Sequence, residues 1–320
     1  MINRRHLRIK VLQALYAYMQ DENPDFVKHE KQLLHNIERM LDLYVLLMLS
    51  FSEFVSIAEN RLEEGKGKLR PTEEDLNPNR KFVDNAIFSI IESLPSLRKE
   101  SQNRKVNWGT DIKRELFRKM FIAAKESECF VLHMSNDENS FEDDKKFAVT
   151  FFKENIANSS YLLTYLEEEN INWIDDIDLM CSMVVKTIKG FTLAESSNAL
   201  PSFYTEDKEE IDFVKALFRK SISNYDNNLF MIDDLAKNWE LDRIAKIDLL
   251  LMSMSITEMT SFPTIPLNVS LNEYIEISKF YSTPKSNAFI NGILDKAIER
   301  LTADGKVQKE GRGLINTKLN

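Results

Sequence analysis

The sequence predicts an all-α protein, and three observations support that prediction. The 320 residues include only 8 Gly and 8 Pro, whereas Leu, Ile, Phe, Met, Glu and Lys are abundant, a composition that favours helices over turn-rich β architecture. Apolar residues recur at helical spacing along most of the chain, and no long alternating strand pattern competes with them. Because 43% of the residues are hydrophobic, the chain is able to bury at least one core.

Apolar periodicity places a first helix at residues 1–20 and a second from about residue 28 past residue 55. A segment at 65–71 that is rich in Gly, Pro and charged residues is then predicted to be a linker. Further helices are predicted at about 80–94, 111–134, 141–157, 159–169 and 173–189, and, after an irregular boundary segment at 190–205, at about 207–223, 227–239, 242–260, 270–281 and 284–302.

Two of the late helices carry start signals. Ser270 is followed three residues later by Glu273, the spacing of a capping box in which each side chain bonds a backbone donor of the first turn. Thr283 before Pro284 predicts an N-cap with proline at the first helical position.

The sequence contains no recognisable catalytic, metal or cofactor motif. Its two cysteines are too few for a disulfide framework and suit a reducing cytosol, which predicts a cytoplasmic protein. The four histidines form no H-E-x-x-H pattern, and neither a phosphate-binding loop nor a nucleophile elbow occurs. We therefore expect no metal site, no cofactor and no enzyme activity.

No membrane anchor is expected either. The longest unbroken apolar run, residues 43–49, is far short of the roughly 18 residues that span a bilayer. The N-terminal stretch lacks the cleavage signal of a secretory leader.

Charge is unevenly distributed along the chain. The total of 42 Lys and Arg against 51 Asp and Glu gives a net charge of −9. Residues 1–20 carry +4 with no acidic residue, and residues 265–320 carry eight basic against six acidic residues, or +2. The acidic excess, −15, therefore belongs to the middle of the chain, and both ends are basic.

The arginines of the first helix suggest a polyanion site. Arg4, Arg5 and Arg8 share one side of its first turns, where the positive pole of the helix dipole disfavours cations. Binding of a phosphate backbone would relieve this placement, although a solvated arm explains it as well. The interpretation requires that these arginines are not neutralised by the chain's own carboxylates far from the tip that carries Asn291.

The last helix contains an unusual interruption. Asn291 and Gly292 fall in the middle of its apolar pattern, and glycine there costs about 1 kcal/mol relative to alanine. The position predicts a close approach of another backbone or of a ligand.

Both ends of the chain resemble the NusB family of transcription antitermination and termination factors. The resemblance covers roughly 120 residues in ordered blocks. At the N-terminus these are Arg4-Arg5-His6-Leu7-Arg8 and Val11-Leu12-Gln13-Ala14-Leu15-Tyr16; at the C-terminus they are Trp239-Glu240-Leu241-Asp242-Arg243-Ile244, Ile247-Asp248, Glu258-Met259, Ile265-Pro266, Asn272-Glu273-Tyr274-Ile275-Glu276-Ile277-Ser278-Lys279 and Phe289-Ile290-Asn291-Gly292-Ile293-Leu294-Asp295-Lys296.

The resemblance implies a two-bundle helical domain that binds single-stranded boxA-type RNA together with the ribosomal protein NusE and acts on RNA polymerase during rRNA transcription. It implies partner-binding roles for Tyr16 and Asp248. The RNA-binding residues that it implies are Arg4, Arg5, Arg8, Lys285, Phe289, Asn291 and Lys296.

The chain departs from the family pattern in two ways. His6, Ala288 and Ser253 stand where basic residues are usual, which predicts either weaker RNA binding or RNA contacts supplied elsewhere in the chain. The resemblance also predicts a domain formed by residues 1–20 and 205–304, a helical insertion at 21–204 and a flexible basic tail at 305–320. The insertion's acidity argues against broad RNA contact, so we expect a protein-binding surface or a stiffening role.

Three hypotheses from different classes remain at the level of sequence. The first is an RNA-binding transcription factor subunit, and the second is a helical protein-interaction scaffold that does not bind RNA. The third, the accessory domain of an RNA methyltransferase, requires a β-α-β unit with a Gly-rich turn, which this sequence lacks.

Overall fold

The structure, a computed structural model, describes residues 4–194, 198–201, 208–236 and 240–314. Within these ranges the regular elements are all helical, without a β-strand, which confirms the predicted all-α class. The described chain forms two compact units: residues 38–202 make up unit 1, and residues 2–37 with 203–320 make up unit 2.

The unit boundaries differ from the predicted domain limits. Residues 21–37, which the sequence assigns to the insertion, belong to unit 2, and the division falls inside the second helix. The other boundary was predicted within 190–205, of which residues 195–197 and 202–205 lie outside the described ranges.

Unit 2 contains the first helix, the start of the second and the last five. Its helices are α1 (Arg4–Gln20), the N-terminal part of α2 (Phe26–Lys66), α11 (Lys208–Ser223), α12 (Tyr225–Leu235), α13 (Lys246–Ser261), α14 (Leu267–Tyr281) and α15 (Pro284–Ala303).

The rest of α2 and ten further elements form the described part of unit 1. They are α3 (Glu73–Leu76), α4 (Ala86–Ser93), α5 (Pro95–Arg104), α6 (Asp111–Lys125), α7 (Glu128–Ser135), α8 (Phe141–Phe151), a π-helical turn at Phe152–Ala157, α9 (Ser160–Glu169) and α10 (Ile177–Gly190), together with a short 3₁₀ turn at Ile171–Trp173.

Local chemistry explains where several of these helices begin. The Thr283 hydroxyl accepts a hydrogen bond from the Ser286 amide and Pro284 opens α15, which confirms the predicted N-cap. Ser140 and Asp143 form a reciprocal capping box at the start of α8. The capping box predicted at Ser270 is wrong, because α14 already begins at Leu267 and Ser270 is buried within it.

Unit 1 is built around an aromatic cluster. Phe151 is fully buried, and its ring centroid lies 5.1 Å from that of Phe54 and 5.2 Å from that of Phe82. Phe54 in turn meets Phe117 of α6 edge to face at 5.5 Å. These contacts join α2, α6 and α8 through large side chains, each of which buries much apolar area.

Two tryptophans fix loops of unit 1 to the backbone of α2. The indole N–H of Trp108 donates to the Leu46 carbonyl at 2.9 Å, and that of Trp173 donates to the Arg39 carbonyl at 2.8 Å. Both rings are almost completely buried, so their single polar atom needs such a partner.

In unit 2, α13 is the central helix. Every residue from Asp248 to Met259 is buried, because α1, α11, α12, α14 and α15 all pack against this helix. A helix that is enclosed on all sides shows little amphipathicity. Because its polar residues, including Glu258, are buried, they need partners inside the protein.

Part of the predicted flexible tail is packed against unit 2. The Glu310 amide donates to the Pro263 carbonyl at 3.0 Å, and the Lys309 ammonium donates to the Phe262 carbonyl at 3.0 Å. Gly313 is buried, and a Cβ there would come within 2.0 Å of the same Pro263 oxygen. Residues 305–314 are therefore not a free tail, and residues 315–320 lie outside the described part.

Helix α2 is long and apolar enough to pass a simple test for a membrane span, with a window of mean hydropathy 1.7. However, 72% of that window is buried inside the protein. The helix is therefore accounted for as a core element.

Truncation of Phe151 tests the aromatic cluster. We expect Phe151→Ala to lower the free energy of unfolding by about 3–5 kcal/mol, because it leaves a cavity among packed rings. Ile112→Ala, at a side chain that is 79% exposed, should change it by less than about 0.5 kcal/mol. Urea unfolding followed by circular dichroism measures both; equal losses would contradict the assigned core.

His133 predicts a pH dependence of unit 1 stability. Its ring is buried and stacks on Phe147 at 3.7 Å, and burial together with the charge of Lys81 lowers the pKa of His133 to about 4. The unfolded ring takes up its proton below about pH 6.5, so the folded state loses stability as pH falls from there to about 4.

We expect His133→Phe to remove this contribution, on the order of 2 kcal/mol. The measurement is the difference in unfolding free energy between wild type and variant at pH 7 and at pH 4.5. A difference that does not change with pH would show that the ring does not titrate as described.

Candidate nucleic-acid and partner interface

Arg8 and Glu258 form a buried ion pair at the centre of unit 2. The Arg8 side chain is 2% exposed and that of Glu258 is 0% exposed. The guanidinium donates from Nε to Oε2 and from Nη2 to Oε1, both at 2.7 Å. This two-bond geometry is among the strongest arrangements of a charged pair.

Two neighbouring hydroxyls complete the surroundings of Glu258. Ser270 donates to Oε1 at 2.7 Å, and Tyr274 donates to Oε2 at 3.2 Å. Burial opposes the charge on Arg8, but the carboxylate of Glu258 outweighs it and leaves the pKa of the guanidinium raised. The pKa of Tyr274 is also raised, first by burial and then by the same carboxylate. The network therefore holds a fixed charge pair inside the protein.

Arg4 and Arg5 are also paired with carboxylates of this chain. Arg4 donates from Nε to Glu210 at 3.0 Å and from Nη2 to Glu209 at 2.7 Å. Arg5 donates from Nε and Nη2 to the two oxygens of Glu273, both at 2.8 Å. About a third of each arginine side chain remains exposed, 32% and 35%.

These pairs correct the predicted roles of the N-terminal arginines. Arg8 is enclosed and cannot present its guanidinium to a nucleic acid, so its predicted RNA contact is wrong. Arg4 and Arg5 reach the surface, but glutamates already balance their charge. The glutamates that pair with these arginines lie far from α1 in the sequence. Periodicity along one helix cannot show that they contact it.

Both α1 and α15 make hydrogen bonds to α14. Arg5 reaches Glu273, while Asn287 of α15 donates to the Ile275 carbonyl at 3.1 Å.

The outward face of α15 carries unpaired cations. Lys285 and Lys296 are exposed, and within the described residues neither has an ion pair or a hydrogen bond. They are eleven positions apart on the same face, about 16 Å along the helix. Half-buried Phe289 and exposed Gly292 lie between them. We call these four residues the α15 face. It carries an aromatic ring and a glycine between two positive charges.

Gly292 does not mark helix packing. It is exposed, and a Cβ built there would meet no atom within 4 Å. The predicted close approach of another backbone of this chain is therefore wrong, and the glycine instead leaves open space on the α15 face.

Asn291 lies beside this face. Its amide donates to Asp295 at 3.1 Å, one turn later in the same helix. This bond holds the side-chain amide within α15. Its oxygen accepts no hydrogen bond from the described part of the chain.

The structure separates the two predicted partner-binding residues. Tyr16 is 42% exposed, and it lies on the face of α1 that Gln13 and Gln20 also occupy. Gln13 donates to the Tyr281 hydroxyl at 3.2 Å, and Lys246 donates to Gln20 at 3.3 Å. Tyr16 therefore stands on a surface bordered by α1, α13 and α14.

Asp248, by contrast, is 3% exposed and accepts a hydrogen bond from Ser282. Its predicted direct contact with a partner is wrong for this structure, because the carboxylate is enclosed. Its position in the first turn of α13 suits the positive pole of that helix, and its bond to Ser282 fixes the end of α14 below Tyr281.

Ser253 also proves to be an interior residue. It is 1% exposed, and the Asn228 amide donates to its carbonyl at 3.0 Å and to its hydroxyl at 3.2 Å. The absence of a basic residue at this position consequently removes no surface charge.

Among the described residues no group of His, Cys, Asp and Glu could hold a metal ion.

Comparisons with known proteins identify the family. Residues 172–299 match the NusB family. The transcription antitermination protein NusB of Salinibacter ruber is 43% identical over 110 residues, which cover 34% of this chain and 69% of that protein. The chain belongs to the NusB family.

Two further relatives carry the same name. The transcription antitermination protein NusB of Chloroherpeton thalassium is 40% identical over 117 residues, covering 37% of this chain and 56% of that protein. The one of Natranaerobius thermophilus is 36% identical over 99 residues, covering 29% and 71%. No solved structure matches the chain.

The NusB match begins earlier than the sequence blocks suggested. It includes residues 172–204, and with them α10 (Ile177–Gly190), which the predicted organisation assigns to the insertion. Residues 38–171 lie outside the matched range.

The buried pair of this NusB chain predicts a large stability effect. Arg8→Met should lower the unfolding free energy by about 3–5 kcal/mol, because Glu258 is left as an unpaired buried charge. Adding Glu258→Leu should restore part of the loss, since the pair is then replaced by apolar side chains.

Arg5→Met is the matched control, because it removes a pair that is about one third exposed and should cost less than about 1 kcal/mol. Urea unfolding of the three variants gives the comparison. Similar losses for Arg8→Met and Arg5→Met would refute the buried character of the Arg8–Glu258 pair.

Proposed function

We propose that this protein is a transcription antitermination factor that binds single-stranded boxA-type RNA together with the ribosomal protein NusE. It acts on RNA polymerase during rRNA transcription, in the cytoplasm, and by binding rather than catalysis. The observation that carries the RNA part is the α15 face, where Lys285 and Lys296 are exposed and unpaired within the described chain, with Phe289 and an open glycine between them.

The α15 face suits an extended single strand. Two cations about 16 Å apart can neutralise separate phosphates, and the space over Gly292 lets a base approach the helix. An aromatic ring beside such a base contributes about 1–3 kcal/mol when it stacks. Arg5 offers a further contact if its guanidinium exchanges the Glu273 carboxylate for a phosphate.

The surface around Tyr16 is the proposed docking place of NusE. Its exposed ring gives a partner an amphipathic anchor, and the bonds of Gln13 and Gln20 hold the neighbouring helices in place. RNA that contacts both proteins would couple their affinities, each ligand raising the other's by the same factor.

A second candidate, a helical scaffold that binds protein but not RNA, is favoured by one observation. All three N-terminal arginines are neutralised by glutamates of the chain itself. In that case the ribosomal protein binds, and RNA does not tighten the complex.

Substitution of the two free lysines tests the RNA proposal. We expect Lys285→Gln with Lys296→Gln to weaken boxA-type RNA binding and to lower the slope of log affinity against log salt by about 0.7 per lost contact. Fluorescence anisotropy with labelled RNA at several salt concentrations measures both quantities.

The matched control is Lys28→Gln with Lys31→Gln, two exposed lysines of α2 in the same unit. An equal effect of the two pairs would mean that only net charge matters.

Tyr16→Ala should leave binding of RNA alone unchanged and abolish its tightening by NusE; tightening that survives would remove Tyr16 from the partner surface.

A further inference from the structure

The acidic charge of unit 1 is not spread evenly. Residues 38–202 hold 21 basic and 29 acidic residues, a net charge of −8. Within them, residues 95–125, which include α5 and α6, hold nine basic and three acidic residues, a net charge of +6. The remainder of unit 1 therefore carries −14, and a strongly basic segment lies inside an acidic body.

Helix α6 displays part of this charge on its exposed surface. Phe117, Met120, Phe121 and Ala124 face the core of unit 1. The exposed surface of the helix carries the α6 basic face, which we define as Arg114, Arg118, Lys119 and Lys125. At 100° per residue, the first, second and fourth of these lie within about 40° of arc and extend about 16 Å along the helix.

The cations of the α6 basic face make long ion pairs or, within the described residues, none. The side chains of Arg114 and Arg118 are 62% and 64% exposed, and their nearest carboxylates, Asp111 and Glu115, lie at 3.8 and 3.6 Å, beyond hydrogen-bond distance. Lys119 and Lys125 are exposed and make no ion pair within the described residues. The arginines of α1, in contrast, form bonds of 2.7–3.1 Å to glutamates.

Apolar surface accompanies this charge. Ile122, one turn after Arg118, is 53% exposed, and Ile112 in the first turn is 79% exposed. A face that combines spaced cations with exposed apolar groups fits a ligand with a regular row of negative charges and flat apolar parts between them. A nucleic-acid strand has this chemistry, and arginine forks match phosphate oxygens.

We infer that the α6 basic face is a second RNA-binding surface, which binds the phosphate backbone of single-stranded RNA outside the boxA-type element. The choice of RNA as the polyanion rests on the proposed function. The surface itself belongs to residues outside the range that matches the family.

The test uses the full chain and two RNAs, a boxA-type element alone and the same element with single-stranded extensions on both sides. The variant combines Arg114→Gln, Arg118→Gln, Lys119→Gln and Lys125→Gln. We expect it to bind the extended RNA about tenfold or more weakly at low salt, with a salt slope lower by about 2–3. Affinity for the short RNA should stay within about twofold.

A matched control removes four other exposed lysines of unit 1 through Lys146→Gln, Lys153→Gln, Lys186→Gln and Lys189→Gln. Equal weakening by variant and control would overturn the inference, because net charge alone would then explain it. Unchanged binding of the extended RNA by the α6 variant would also overturn it. If that variant then loses binding to poly-glutamate, the face binds an acidic protein.

The outcomes separate this inference from the proposed function. Failure of wild type to bind the short RNA contradicts the proposed function, while α6-dependent binding of the extended RNA still supports the inference. All substituted side chains are exposed, so circular dichroism and melting should match wild type. If the fourfold variant does not fold, the two pairs Arg114→Gln with Arg118→Gln and Lys119→Gln with Lys125→Gln carry the same test.

Discussion

The buried pair of Arg8 and Glu258 is the constraint on which unit 2 depends. Two charges without solvent are tolerated only because two short bonds join them and Ser270 and Tyr274 donate to the same carboxylate. The pair ties α1, at the start of the chain, to α13 and α14, near its end. Helix α13 is enclosed by its neighbours, so the position of its one buried glutamate also fixes how α1 enters the unit.

This constraint changes which charges are available for binding. Because Arg8 is enclosed and Arg4 and Arg5 meet glutamates, the basic start of the chain contributes more to folding than to surface potential. On α15, Lys285 and Lys296 are exposed beside Gly292 and make no ion pair within the described residues. The proposed RNA surface therefore depends on the last helix, with α1 providing the surface around Tyr16.

Unit 1 shows how an acidic segment can still carry a basic face. Its stability comes from packed rings such as Phe54 and Phe151 and from indoles bonded to α2, and these buried groups leave the outer side of each helix free to vary in charge. On α6 that side is basic. An average over the whole segment, which argued against RNA contact, hides this difference.

The sequence by itself determined the helical class, most helix positions, the family and the N-cap at Thr283, because spacing, composition and capping are local properties. It missed the break of the predicted 111–134 helix at residues 126–127, the whole of α5 and the true start of α14. Only the tertiary structure decided that Arg8 and Asp248 are enclosed, that Gly292 is open and that residues 305–314 are packed. Each of these depends on which distant residue lies opposite, and periodicity along one helix carries no information about a partner 250 positions away.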